Sequence, residues 1–251
     1  MGLLGVAREG SGPILVWLHG FSQTRDSARR FRTILATDYE VLSPDLPGHG
    51  TSAGLRASLE EAAYLVAAVA GTGPVALGGY SMGGRVALHV ALRHPEIVSR
   101  LVVLSATAGI EDDAARAARR ARDETLAGRI ERIGVGAFLE EWLAQPLFAT
   151  LPRDAAERAA RSADAAGLAD ALRRSGTGTQ AWLLEDLARL EVPTLVLAGA
   201  RDPKFVEAGT RLADAMANAR LVVLEGLGHA AHLEDPVAVA SAVRDFLAYP
   251  Q

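Results

Sequence analysis

Ser81, Asp202 and His229 are the residues of this sequence whose types and order suit nucleophilic or acid/base chemistry. Ser81 stands in Gly79-Tyr80-Ser81-Met82-Gly83, between an apolar run and a helical pattern. A serine on such a turn is held in a strained strand-to-helix bend that exposes its Oγ, and glycines on either side remove the side chains that would block the bend. The hydroxyl alone is a weak base and a weak nucleophile. A histidine in hydrogen-bond reach takes its proton, and a carboxylate on the other ring nitrogen fixes the tautomer and stabilises the imidazolium. Asp202 lies just past the strand-like run Thr194-Leu195-Val196-Leu197-Ala198, and His229 follows Arg220-Leu221-Val222-Val223-Leu224 through Gly226-Leu227-Gly228. Either residue alone reads as a turn or cap. All three at successive strand ends, serine first and histidine last, read as a relay.

A loop positioned to assist the relay follows Ile14-Leu15-Val16-Trp17-Leu18. It is His19-Gly20-Phe21, where a backbone N–H joins that of Met82 as an oxyanion donor. His19 itself, and His49 in the turn-rich loop of residues 44–52, are expected to be structural. Arg85 comes one helical turn after Ser81, close enough to hold a carboxylate bidentately, although position alone leaves a surface ion pair equally open. Arg116, Arg119 and Arg120 share one side of a helix over residues 111–133, by default a solvated face. His229 and His232 lack the further ligands of a metal site, so no metal is expected and His232 is assigned to supporting the loop or the helix start.

The elements that must place these groups are short Val- and Leu-rich strands near residues 3–7, 14–18, 40–43, 75–78, 100–105, 194–198 and 221–224. Helical patterns at 28–35, 59–70, 83–93, 205–216 and 237–247 separate them, which implies an α/β fold with a mostly parallel sheet covered on both faces. The Ala- and Arg-rich stretch 108–190 shows no strand. It is expected to be a helical lid, inserted after the sixth core strand into a core of residues 1–107 and 191–251. At 251 residues and 49% hydrophobic content the chain can bury a large core as one enzyme-sized unit. A formal charge of −4 argues against nucleic acid or an anionic membrane as partner, and the absence of cysteine excludes disulfides, thiolate metal sites and a cysteine nucleophile. No leader pattern is read at Met1-Gly2-Leu3-Leu4-Gly5-Val6, and the most apolar run, 62–71, falls far short of the roughly 20 residues that span a bilayer. A soluble, cytoplasmic protein is expected.

With those residues in view the chain resembles the α/β-hydrolase superfamily from end to end. Within it, the chain is similar to the 2-succinyl-6-hydroxy-2,4-cyclohexadiene-1-carboxylate (SHCHC) synthase family of menaquinone biosynthesis. The narrower matches are Gly79 to Arg85, Trp142 followed by Gln145-Pro146-Leu147-Phe148-Ala149, Gly176-Thr177-Gly178-Thr179-Gln180, Asp202-Pro203-Lys204-Phe205 and Gly228-His229-Ala230-Ala231-His232. Ser105-Ala106-Thr107-Ala108-Gly109 departs from the family's usual Ser-x-Ser-Pro-Gly at the hinge into the lid. The resemblance implies a lyase without cofactor that eliminates pyruvate from an enolpyruvyl-bearing succinyl cyclohexene carboxylate. Ser81 or His229 would remove the proton next to the ketone, and the N–H groups of Phe21 and Met82 would stabilise the dienolate, with no acyl-enzyme. It also implies a polycarboxylate partner held by Arg85, Tyr80, one of Arg119 or Arg120, Trp142 and Arg161. Two rivals remain: a serine hydrolase of esters or β-diketone carbon–carbon bonds, and a hydrolase-fold receptor for a small ligand. The receptor should expose an apolar patch on the lid, whereas this lid reads Arg/Asp/Glu-rich.

Overall fold

The computed structural model describes residues 3–248. Met1 and Gly2, where the leader pattern was sought, and residues 249–251 of the expected core lie outside the described residues. Seven strands, β1 (Val6–Glu9), β2 (Ile14–Leu18), β3 (Glu40–Pro44), β4 (Val75–Tyr80), β5 (Val98–Leu104), β6 (Thr194–Gly199) and β7 (Ala219–Leu224), form one sheet in the order β1-β3-β2-β4-β5-β6-β7. Only β1 runs antiparallel to its neighbour. β4 and β6 are buried at every position, as unbroken apolar runs in the middle of a doubly covered sheet must be.

Alternation along the strands builds two cores. Val16, Leu18, Leu77, Leu101, Val103 and Val196 face one layer of helices, formed by α2 (Leu59–Ala70), α3 (Met82–Arg93), α7 (Leu184–Leu187) and α8 (Pro203–Ala215). Leu15, Trp17, Ala76, Val102, Leu104, Leu195 and Leu197 face the other, formed by α1 (Arg29–Leu35), α9 (Ala231–Glu234) and α10 (Pro236–Ala248). Between β5 and β6 come α4 (Asp113–Leu143), α5 (Ala155–Ala159) and α6 (Ala165–Ser175). α4 and α6 close a small core of their own around Ile130, Phe138, Leu139, Leu168 and Leu172, and Phe21 packs against its edge.

Three expectations are corrected. The helical insert follows the fifth described strand, not the sixth, because a single antiparallel strand precedes β2. β1 starts at Val6 rather than at residue 3, since Gly5 bonds to the loop after β3 instead of extending the ladder: its N–H donates to Ser52 Oγ and its carbonyl accepts from Asp45 N–H. α4 runs past residue 133 to Leu143, but Gly134 interrupts it with φ 76°, ψ 165°, a left-handed conformation that glycine adopts freely.

The junction of β4 and α3 is the tightest contact of the fold. A Cβ at Gly79 would lie 2.4 Å from the Gly83 carbonyl carbon, and one at Gly83 would lie 2.3 Å from the Leu18 carbonyl oxygen, with backbone on both sides. Gly83→Ala is expected to cost about 1–3 kcal/mol of stability, as overpacking does. Gly128→Ala, within α4 and with no atom within 4 Å of the added methyl, should gain up to roughly 1 kcal/mol from helix propensity. Urea unfolding of the two variants beside the parent chain measures both; equal midpoints would mean the junction relaxes freely.

Candidate active site

Ser81 sits between β4 and α3 with φ 53° and ψ −109°, a positive φ for a residue with a side chain. Its N–H donates to the Leu104 carbonyl (2.9 Å) and its carbonyl accepts from Arg85 N–H (3.1 Å), so the strained bend is held from the neighbouring strand and from the helix. Asp202 precedes Pro203, the first residue of α8, and its side chain makes no cap bond to that helix. The carboxylate instead accepts from His229 Nδ1 at 2.7 Å, and Ser81 Oγ lies 3.2 Å from His229 Nε2. Because an ionised carboxylate only accepts, Nδ1 carries the proton and Nε2 is left to accept the serine hydroxyl. The structure therefore brings together the three residues that lie at separate strand ends in the sequence. Phe205, at 4.5 Å between ring centroids, and Tyr80, at 5.3 Å, wall in the imidazole.

The loop after β2 is held by neutral histidines. His19 Nδ1–H donates to the Gly20 carbonyl (2.8 Å) while Nε2 accepts from Leu46 N–H (3.0 Å). His49 Nδ1–H donates to the Pro47 carbonyl and Nε2 accepts from Ser22 N–H. A carbonyl can only accept and a backbone N–H only donate, so neither ring has room for a second proton. Burial pushes the two histidines down to about 4 and about 3. Among the described residues the N–H groups of Phe21 and Met82 have no acceptor. Gly20 carries no side chain because the Tyr80 ring takes that space: a Cβ there would lie 2.6 Å from Tyr80 Cε1. Tyr80 is buried, which raises its phenol well above the ordinary range.

The cations are distributed unevenly. Arg85 is 7% exposed and makes no ion pair among the described residues; its one hydrogen bond, Nη1–H to Gln180 Oε1, is long at 3.4 Å. The surface ion pair that position left open is thus absent. Gln180 is fixed by donating its own Nε2–H to the Thr107 carbonyl (3.2 Å). Desolvation, and then the charge of Arg119, bring Arg85 down to about 10, so it stays charged at neutral pH. Arg119 pairs with Asp123 at 2.8 Å, whose other oxygen accepts from Gly178 N–H. Arg120 donates to the Gly178 carbonyl, and Arg116 pairs with Asp113 on the surface. Arg161, 9% exposed, donates through Nη1 to Ser22 Oγ (2.8 Å) and leaves Nε buried without a partner. Trp142 packs between Phe21, Phe138 and Phe148, and its Nε1 is another buried donor without a partner. Phe148 in turn meets the His229 ring at 6.0 Å.

Gln23, Glu157 and Gln180 have no role assigned from sequence, because the bonds that place them join distant parts of the chain: Gln23 and Ala28 to Glu157, and Gln180 to Arg85 and Thr107. Lys204, half-buried two residues past Asp202, is lowered by desolvation and then by the charge of Arg119. His232 does not support a loop by hydrogen bonding: both ring nitrogens are without partners, and the ring packs against Tyr80 (4.4 Å), Phe31 (5.7 Å) and Trp17 (6.2 Å). Among the described residues no cluster of three metal-ligating side chains occurs, and no helix is long and apolar enough to cross a membrane.

A doubly covered, mostly parallel sheet with a serine on the bend after β4 defines a class of proteins, and a family model confirms it. The chain belongs to the alpha/beta hydrolase family, whose model matches residues 15–242. It is 35% identical over 250 residues to the 2-succinyl-6-hydroxy-2,4-cyclohexadiene-1-carboxylate synthase of Serratia proteamaculans (strain 568), with 96% of each chain covered. Among solved structures it is similar to MenH from S. aureus, with a TM-score of 0.90 and 30% identity over 98% of both chains. A thermophilic esterase from Thermogutta terrifontis, with malate bound, matches at a TM-score of 0.83 and 28% identity over 97% of this chain and 92% of that one.

Burial lowers His232 to about 3, while the unfolded chain would protonate it near 6.5. The unfolded state therefore binds more protons as pH falls below about 6.5, and stability is lost in that direction until the folded value is reached. His232→Phe keeps the ring and removes two unpartnered nitrogens. It should be neutral or stabilising at pH 7.5 and should lose about 2 kcal/mol less than the parent between pH 7.5 and pH 5. Denaturant midpoints at the two pH values test this; an unchanged pH dependence would show that His232 does not carry the burial cost.

Proposed function

We propose that this enzyme eliminates pyruvate from 2-succinyl-5-enolpyruvyl-6-hydroxy-3-cyclohexene-1-carboxylate to give SHCHC. The observation that carries the reading is Arg85, a buried and charged guanidinium one turn from Ser81 that forms no ion pair with a carboxylate among the described residues. A buried cation is costly unless an anion accompanies it. A substrate carboxylate would supply that anion, and the planar fork of arginine suits it. Trp142 Nε1 and Arg161 Nε add two unpartnered donors beside the aromatic wall. The kinship with an SHCHC synthase at 35% identity supports the same choice of substrate.

In this reading His229, held by Asp202 in the tautomer that leaves Nε2 free, accepts a proton through or beside Ser81 Oγ. The proton leaves the ring carbon next to the succinyl ketone. The electron pair enters the C2–C3 bond, the existing double bond moves to C4–C5, and the C5–O bond breaks to release the enolate of pyruvate, which takes the proton back from His229. Charge that develops on the ketone oxygen is met by the N–H groups of Phe21 and Met82. The triad acts as a base, and no covalent intermediate is needed. A serine hydrolase would use the same relay for attack on an ester, and the likeness to an esterase keeps that reading as the comparison arm.

Incubation with the enzymatically generated enolpyruvyl substrate should release pyruvate, while short-chain p-nitrophenyl esters, which lack carboxylates, should turn over poorly. The opposite preference would assign the chain to ester hydrolysis. Ser81→Ala, Asp202→Asn and His229→Ala should each lower turnover by roughly 10³ or more, and their combination should cost no more than the largest single loss, because the three act as a unit. Arg85→Ala is expected to lower kcat/KM about ten- to a hundredfold, the range for a hydrogen bond to a charged group. Arg85→Lys should recover only part, since it keeps the charge and loses the fork. Unaltered kcat/KM in Arg85→Ala would remove the anion site from the mechanism.

A further inference from the structure

The turn that carries Phe21 is bonded to the helical insert through the residues that follow Phe21. Gly20 and Gln23 close it: Gln23 N–H donates to the Gly20 carbonyl (3.2 Å), and Gly20 N–H donates to Gln23 Oε1 (2.8 Å). With Oε1 so engaged, the Gln23 amide must present Nε2–H outward, and it donates to Glu157 Oε1 (3.3 Å). The second Glu157 oxygen accepts the N–H of Ala28 (2.7 Å), which sits at φ 56° just before α1. One half-buried carboxylate from the insert thus spans the segment from Gln23 to Ala28. Between Phe21 and Gln23, Ser22 is at φ 65°. Its carbonyl accepts from Ser162 N–H (2.9 Å) and its Oγ from Arg161 (2.8 Å). Thr24 Oγ1–H also donates to the Ala160 carbonyl (2.6 Å).

We propose that Glu157 is a positioning residue for the oxyanion loop: through Gln23 it holds the Gly20–Gln23 turn so that the Phe21 N–H faces the reacting oxygen. The insert then does more than cover the site, because the loop keeps its catalytic shape only while residues 157–162 are docked on it. Glu157 has neutral donors and no ion pair within 4.0 Å among the described residues, so its bonds serve orientation rather than charge neutralisation; burial raises its carboxyl and the Ala28 N–H and Arg161 draw it back. The inference rests on the oxyanion role proposed for Phe21, and Met82, the second donor, is untouched by it.

The test is steady-state kinetics on Gln23→Ala, Glu157→Ala and the exchange Gln23→Glu with Glu157→Gln. Loss of a whole oxyanion donor costs about 10²–10³ in kcat; a misaimed one should cost roughly ten- to a hundredfold, with KM within about threefold because the Arg85 contacts remain. The two alanine changes made together should be no worse than the worse single one. The exchange reverses the polarity of the pair and keeps every bond: a carboxylate at position 23 accepts from Gly20 and from the amide at 157, whose carbonyl accepts from Ala28. It should recover kcat, and since it retains the packing it keeps the test valid if Glu157→Ala does not fold. Unchanged kcat in Gln23→Ala, a loss confined to KM, or no recovery in the exchange overturns the proposal. Each variant is run on the enolpyruvyl substrate and on p-nitrophenyl acetate, which also develops an oxyanion. Absence of pyruvate release by the parent chain would then refute the substrate while the relay is still decided on the ester.

Discussion

The approach of the first turn of α3 to the end of β2 governs the geometry of everything that follows. With Gly83 against the Leu18 carbonyl and Gly79 against Gly83, β4 must turn sharply into α3, and Ser81 takes a positive φ. The same contact sets three further groups. Met82 N–H opens the helix without an acceptor, Arg85 lies one turn on, and the chain leaving Leu18 becomes the His19-Gly20-Phe21 loop. Two backbone N–H groups without acceptors, one hydroxyl and one cation therefore share a single reference. This is the kind of preorganisation that makes electrostatic stabilisation effective, because no dipole has to reorient as charge develops.

Charge in the insert is sorted by face. Several of its outer arginines are neutralised: Arg173 bridges Glu124 and Glu131, Arg129 meets Glu141 and Arg158 meets Glu140. Such exposed pairs contribute little stability. Toward the catalytic centre the pattern reverses: among the described residues the Arg161 side chain of the insert hydrogen-bonds only to a hydroxyl, and Arg85 of α3, which reaches Gln180 of the insert, forms no ion pair. Desolvation lowers both and leaves both charged. The fold bears the cost of holding these cations in a poorly solvated place, which is reasonable where an anion is to be bound and hard to explain by stability alone.

Sequence and structure agree best where a local pattern fixes a local geometry. The glycine-flanked bend at Ser81 and the buried runs β4 and β6 are each determined within a few residues. Asp202 and His229 were legible because strand ends in a parallel sheet converge on one edge. Arg85 was half legible: its position next to Ser81 could be read, whereas its lack of a partner depends on Gln180, 95 residues away. Gln23 and Glu157 were not legible at all. An exposed-looking glutamate in a short helix acquires its meaning only when the insert folds back on α1, and His232 shows the converse, a polar residue that tertiary packing leaves among rings.

The central claim is that the unpaired Arg85 guanidinium receives a carboxylate of a polyanionic ligand. A crystal structure of the Ser81→Ala protein with SHCHC bound tests it most directly. The account expects a ligand carboxylate on Arg85 at about 2.8 Å, the distance of a charge-assisted hydrogen bond, with the succinyl ketone oxygen against the N–H groups of Phe21 and Met82. A ligand whose carboxylates all lie away from Arg85, with that guanidinium still bonded only to Gln180, would contradict it.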